Sequence, residues 1–168
     1  MGSGWCSSPT ILYLLPLPSR LYALIIGIND YSSLPKLSGA VHDAKAMEEF
    51  LKTHMNVPSN RIRLLLDHDA SRAEIINAFK ELSKEDEIKT DDPILIYYAG
   101  HGTQLTPPLG WEAGGPGRKI QAICPCDYKK EGIHTIPDRT IGSLLDMISE
   151  KKGNNIVRFL IFGAFFKF

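Results

Sequence analysis

The stretch Ile94–Gly102, ILIYYAGHG, decides the fold. Its unbroken apolar and aromatic run over 94–99 predicts a buried strand, and Gly100-His101-Gly102 then predicts the point at which the chain leaves the sheet. An imidazole at the end of a strand, between two glycines that permit close backbone approach, is typical of a general base held in fixed geometry. His101 is therefore the first candidate functional residue, and the alternative is a turn residue that tolerates a tight exit.

The patterns on either side of this stretch predict an α/β fold. Two further apolar runs, Leu21–Ile28 and Arg61–Asp67, predict strands, and apolar residues at helical spacing predict helices that begin near Ala40 and Ser71. A third helical pattern, a Gly at 153 that would end it and a last apolar stretch follow. Apolar strands alternating with amphipathic helices predict a sandwich whose mostly parallel sheet is covered on both faces. In such sheets functional groups gather beyond the carboxyl ends of the strands, where His101 is expected.

Composition narrows the classes of function. The 168 residues suit one domain, and 19 basic against 19 acidic residues leave no basic stripe for a phosphate backbone, so no nucleic-acid partner is expected. Three cysteines, at 6, 124 and 126, predict a reducing, cytoplasmic setting, and their spacing predicts no metal site. Residues 1–20 are expected to form a disordered or loosely docked leader, with no membrane association.

Five segments together resemble the catalytic domain of the caspase-like cysteine peptidases, and most closely the metacaspase-type branch of fungi. They are YALIIGINDY, LSGAVHDA, ILIYYAGHG, ICPCDY and IPDRTIGSLLD, and the resemblance covers residues 21–157. It implies a caspase-like three-layer α/β sandwich, incomplete at its C-terminal side. It also implies that polypeptide substrates are hydrolysed by a Cys–His dyad after Arg or Lys.

The resemblance assigns roles to four residues of this chain. His101 matches the catalytic histidine, and Gly102 matches the residue whose backbone N–H helps to hold the oxyanion. Asp127 and Asp138 fall near acidic positions that bind the basic side chain of the substrate or a calcium ion, although Asp127 also suits a turn and Asp138 a helix N-cap. Because the Asp-Asp pair of the family reads Asp138-Arg139 here, we expect no calcium site and no other cofactor.

The nucleophile is the missing part of this pattern. The resemblance places the cysteine at the carboxyl end of the fourth strand, where residues 154–168 read NNIVRFLIFGAFFKF. A histidine base without a thiol cannot carry out acyl transfer, so we expect the chain to be inactive, with 158–168 a divergent apolar tail.

Three interpretations remain open on the sequence alone. The first is a shortened product of a cysteine endopeptidase gene. The second is a non-catalytic regulator whose apolar tail associates with a full-length relative. The third is a small hydrolase that pairs His101 with Cys124 or Cys126.

Overall fold

The computed structural model describes residues 18–107 and 119–167. The strands and helices alternate as the sequence predicts, with two additional short strands after the third long one. The strands are β1 Tyr22–Gly27, β2 Ile62–Leu66, β3 Ile94–Leu105, β4 Ile120–Ile123, β5 Ile136–Pro137 and β6 Ile156–Lys167, and the helices are α1 Ala40–His54, α2 Arg72–Lys84 and α3 Asp138–Lys152.

The sheet is mostly parallel and has β3 at its centre. β2, β1, β3 and β6 run parallel, with Tyr22 beside Ile94 and Ile94 beside Ile156. β4 runs antiparallel along the last part of β3, from Gly102 to Leu105, and β5 pairs antiparallel with β4. The predicted α/β class with a mostly parallel sheet is therefore confirmed.

One prediction about the central stretch is wrong. The chain does not leave the sheet at Gly100-His101-Gly102, because β3 continues through these residues to Leu105. The extension is possible because β4 and β6 supply partners after β1 has ended opposite Ala99. His101 thus lies inside a strand, two residues beyond the end of its pairing with β1.

The two faces of the sheet are covered unequally. On one face α2 and α3 pack over a core that includes Leu24, Ile96 and Phe79. On the other face α1 covers alternate residues of β1 and β3, among them Ile25 and Tyr97. The residues of β6 on this second face are 46–53% exposed, and they are Val157, Phe159 and Ile161, which we call the β6 stripe.

The amino end of β6 is fastened to the loop that precedes β3. Gly153 ends α3 with a φ of +88°, and a side chain there would overlap Asp91. The Asp91 N–H donates to the Lys152 carbonyl at 2.7 Å, and the Lys152 ammonium donates to the Glu85 carbonyl at 2.6 Å. We call this group of contacts the α3–β6 clasp. From it β6 runs without interruption across the predicted boundary between 157 and 158.

The predicted leader falls largely outside the described residues. Of the predicted leader, only 18–20 are described, and there Ser19 donates to the Asn56 carbonyl while Arg20 pairs with Asp92. The Gly/Pro-rich segment after β3 is described only as far as 107. Across 18–107 and 119–167, no helix is both long enough and apolar enough to cross a membrane.

Candidate active site

The peptide of His101 is held by two tyrosine hydroxyls. Its backbone N–H donates to the Tyr31 hydroxyl at 2.8 Å, and its carbonyl accepts from the Tyr98 hydroxyl at 2.7 Å. The same carbonyl accepts from the Cys124 N–H at 3.0 Å, which ties the residue to the segment after β4. His101 is therefore fixed from the β1–α1 loop, from within β3 and from the segment after β4.

The imidazole of His101 has one defined orientation. Its Nε2 lies 2.7 Å from the carbonyl oxygen of Pro35, and its ring lies 4.7 Å from that of Tyr31 between centroids. A carbonyl can only accept, so Nε2 must carry the proton of this hydrogen bond. In the neutral ring the lone pair is then on Nδ1, which is the atom that could remove a proton from a thiol.

The loop that provides Tyr31 and Pro35 is itself anchored at the carboxyl end of the sheet. The Asp67 carboxylate at the end of β2 accepts from the N–H groups of Asn29 and Asp30, at 2.7 and 3.0 Å. Bonds from a charged carboxylate to two adjacent amides are stronger than neutral ones. The position of the imidazole therefore depends on the ends of β1, β2 and β3 together.

Gly102 lies directly against an aromatic ring of β6. The ring of Phe162 packs on its Cα so closely that a side chain at this position would overlap it. The same ring packs against Tyr98 at 6.2 Å between centroids. Together with the 1% exposure of His101, this contact closes the site on the side of β6.

The two described cysteines are poor nucleophiles. Cys124 is fully buried, and burial raises the pKa of its thiol from 9.0 to about 12. Burial likewise raises the pKa of Cys126 to about 11, with the nearby Asp127 charge adding to the effect. Because the thiolate is the reactive form, both thiols are unreactive as nucleophiles near neutral pH.

The two predicted acidic residues lie in different places. Asp127 is half-buried, and its Oδ1 accepts from the Arg72 N–H at the start of α2 at 2.9 Å. It follows Cys126, whose carbonyl accepts from Ser32 in the same loop as Tyr31. Asp138 is the exposed first residue of α3 and not its N-cap, and it lines a cavity of about 110 Å³ beside β6.

Among the described residues, Asp138 does not lie in a cluster of side chains that could bind a calcium ion. Asp138 is followed by Arg139, whose N–H donates to its carboxylate at 2.7 Å. Within the part of the chain that the structure describes, no group of three or more His, Cys, Asp or Glu side chains could hold a metal ion.

Three residues of the site were not singled out from the sequence. Tyr31, Pro35 and Tyr98 hold His101. Tyr31 belongs to GINDY and Tyr98 to YYAGHG, and these motifs could have pointed to them, whereas Pro35 lies outside both motifs. Tyr98 reads as one more residue of a buried strand, and Tyr31 and Pro35 read as parts of a loop.

Comparisons with known proteins agree with this architecture. A family model of the caspase domain matches residues 20–152. Metacaspase-2 of Trypanosoma brucei brucei is 34% identical over 140 residues, which are 77% of this chain and 38% of that protein. Metacaspase-1 of Scheffersomyces stipitis is 32% identical over 125 residues, which are 71% of this chain and 30% of that one.

The solved structures add a likeness of fold. A crystal structure of a protein from Geobacter sulfurreducens superposes with a TM-score of 0.63 at 20% identity, covering 85% of this chain and 49% of that one. The chain therefore spans less than half the length of this structure and of the two metacaspases.

Proposed function

We propose, from the premise that this chain belongs to the caspase-domain family and resembles its metacaspases, that it carries the histidine half of a cysteine endopeptidase site. The family acts on polypeptides, and His101 is the proposed base. The observation that carries the proposal is the 2.7 Å contact of Nε2 with the Pro35 carbonyl, because it makes Nε2 the donor and leaves Nδ1 as the basic nitrogen.

We further propose that the chain does not itself hydrolyse peptide bonds. The register of the sheet places 164 beside His101 and 165 beside Gly102, and these positions hold Ala and Phe. The Phe162 ring covers the Cα of Gly102, so a substrate carbonyl could not approach the proposed oxyanion donor from that side. We therefore propose that the tail at 158–168 causes the inactivity. We also propose that the chain consists of a leader at 1–20, a caspase-like domain at 21–157 and this tail.

Substrate preference is the next part of the proposal. Asp127 and Asp138 are proposed to favour Arg or Lys before the cut bond through charge-assisted hydrogen bonds. Asp127 is supported by its link to the loop that holds His101. Asp138 is supported only by its exposure at the cavity beside β6. A reducing, cytoplasmic location is proposed on the two free thiols.

A thiol placed on β6 tests the role of His101. Ala164→Cys and Phe165→Cys each introduce a cysteine at a register position next to the proposed site, and Val157→Cys on the same strand is the control. We expect at least one of the first two to react with a thiol-directed probe more than about tenfold faster than the control at about pH 6, because a histidine base that takes the thiol proton leaves the reactive thiolate. Peptide mass mapping locates the label.

The second substitution in this assay is His101→Ala. It should abolish the extra reactivity while leaving Val157→Cys unchanged. Equal labelling of all three cysteine variants, with or without His101, would reject the proposed base. Labelling of Cys124 or Cys126 that requires His101, with cleavage of Arg- or Lys-terminated fluorogenic peptides, would establish the small-hydrolase alternative instead.

A second candidate function is regulation of a full-length relative, and the β6 stripe favours it. Its three large apolar side chains lie next to each other on one face at 46–53% exposure. Apolar surface of this kind marks interaction sites. Among the described residues β6 pairs only with β3, so its other edge can accept a further strand.

Co-purification with a full-length metacaspase tests this function. Phe159→Asp together with Ile161→Asp should abolish the association, because two carboxylates would have to be buried in the interface. Met55→Asp is the matched control, since Met55 is a similarly exposed apolar residue at the end of α1. Association that survives the double change would remove the β6 stripe as the contact surface.

A further inference from the structure

We propose that Tyr31 and Tyr98 are positioning residues that form a closed hydrogen-bonded clamp around the His101 peptide and so determine which ring nitrogen is the base. The inference rests on the proposed role of His101. It adds two residues to the site that the resemblance did not assign, and it explains why a glycine precedes the histidine.

The direction of every hydrogen bond in the clamp follows from the groups involved. The Tyr98 hydroxyl has a single proton and lies 2.7 and 3.0 Å from the carbonyls of His101 and Cys124, neither of which can donate. Its oxygen is therefore the acceptor for the Tyr31 hydroxyl, with which it shares a side-chain hydrogen bond. The Tyr31 oxygen in turn accepts from the His101 N–H at 2.8 Å.

The clamp therefore runs from the N–H of His101 through two hydroxyls back to its own carbonyl. Burial raises the pKa of Tyr31 to about 12 and raises that of Tyr98 above its ordinary value. Both hydroxyls consequently remain protonated, and able to donate, over the whole physiological pH range. Hydrogen bonds in such a buried chain polarise and strengthen one another.

Gly100 makes the clamp possible. A Cβ at this position would lie 2.5 Å from the Tyr31 hydroxyl oxygen and 2.6 Å from that of Tyr98. Any side chain would therefore separate the two hydroxyls or displace β3. The requirement for glycine here is one of close approach, since Gly100 does not adopt a positive φ.

The clamp also fixes the position of the His101 imidazole relative to the Pro35 carbonyl. Tyr31 and Pro35 belong to the same loop, so the bond between Tyr31 and the His101 amide fixes the distance from the Pro35 carbonyl to Nε2. Loss of the clamp would let the loop move relative to the imidazole. The Nε2–H form would then lose its preference over the Nδ1–H form.

Nitrogen NMR of the full chain, with its five histidines labelled with ¹⁵N, measures this preference directly. We expect His101 of the unaltered chain in the Nε2–H form. Tyr31→Phe, which retains the ring, and Gly100→Ala should each lower the ratio of the two forms about fivefold, which corresponds to one neutral hydrogen bond of about 1 kcal/mol. Tyr97→Phe is the matched control, because this buried tyrosine lies on the opposite face of the strand.

Two results would overturn the clamp. One is an unchanged ratio in Tyr31→Phe with native circular dichroism, and the other is an equal change in Tyr97→Phe. If Gly100→Ala does not fold, Tyr31→Phe decides alone. The thiol-labelling assay tests the base itself, so a normal tautomer response with no His101-dependent labelling would reject the proposed function and leave the clamp standing.

Discussion

β3 and β6 are neighbouring parallel strands of equal length, yet their side chains differ greatly in solvent exposure. Tyr97 and Phe159 are partners across the two strands, and they are 3% and 53% exposed. Both strands read as apolar runs, but α1 reaches over β3 and not over β6. Apolar sequence thus predicts that a strand belongs to the sheet, whereas its exposure is determined by layers that other parts of a chain supply.

The largest expected effect on stability comes from replacing an isoleucine of β3 by alanine, and the same replacement on β6 provides the comparison. Ile96→Ala on β3 removes a side chain that is 2% exposed and should lower the free energy of unfolding by about 2–5 kcal/mol. Ile161→Ala on β6 should cost far less, because that side chain is already half in water. Urea unfolding of both variants measures the difference, and equal losses would mean that the β6 stripe is covered.

A smaller effect is expected where α1 presses on the sheet. A Cβ at Gly27 would lie 2.5 Å from that of Ala44 and 2.8 Å from the Ala40 carbonyl oxygen. Since the helix backbone cannot move aside easily, Gly27→Ala should lower the free energy of unfolding by about 1–3 kcal/mol. Gly102→Ala is the counterpart on the β6 side and should cost less, since the Phe162 ring that it meets can rotate away. A larger loss at Gly102 would show that this ring is fixed.

Alkaline pH should lower the free energy of unfolding through the two buried thiols that follow β4. In the folded chain the thiol pKa values of Cys124 and Cys126 are raised to about 12 and 11. The unfolded chain therefore releases these protons first, so stability is fully present below about pH 8 and falls as the pH rises from about 9 to 11. The expected slope is about 1 kcal/mol per pH unit for each thiol.

Urea unfolding under reducing conditions across this range measures the slope. Cys124→Ala should reduce the slope of the free energy of unfolding against pH by the contribution of that one thiol. An unchanged slope in this variant would mean that the thiol ionises as readily in the folded chain as in the unfolded one.

The smallest effect on stability is expected at the centre of the β6 stripe. Phe159→Ser should change the free energy of unfolding by no more than about 0.5 kcal/mol, because half of the ring is already hydrated. It should nevertheless weaken the proposed association with a full-length metacaspase, which co-purification measures. A loss of several kcal/mol would contradict the open face described for β6.

Much of the fold could be predicted because the local pattern of apolar residues in the sequence matches the faces that are buried between the layers. Ser71 accepts from the Glu74 N–H, as a serine at a helix N-cap commonly does, and Ile75, Phe79 and Leu82 are buried on one face of α2. The end of β3 could not be predicted, because glycines suggest an exit and the partners that extend the strand, β4 and β6, come later in the sequence.

The site was predictable only in part, for a related reason. His101 stands out because an imidazole between two glycines after an apolar run is unusual. Tyr31 and Pro35 do not, since their function arises only when a loop some 70 residues earlier folds over β3. The binding of a substrate by Asp127 and Asp138 stays a prediction.

The α3–β6 clasp has a consequence for how the sheet opens. It fastens the amino ends of β3 and β6 to each other through Asp91 and Lys152, whereas the far half of β6 has one neighbour among the described residues. Local unfolding of β6 should therefore begin at its carboxyl end. Amide hydrogen exchange would show this as protection that decreases along β6 away from Ile156, with β3 exchanging later, in the global transition.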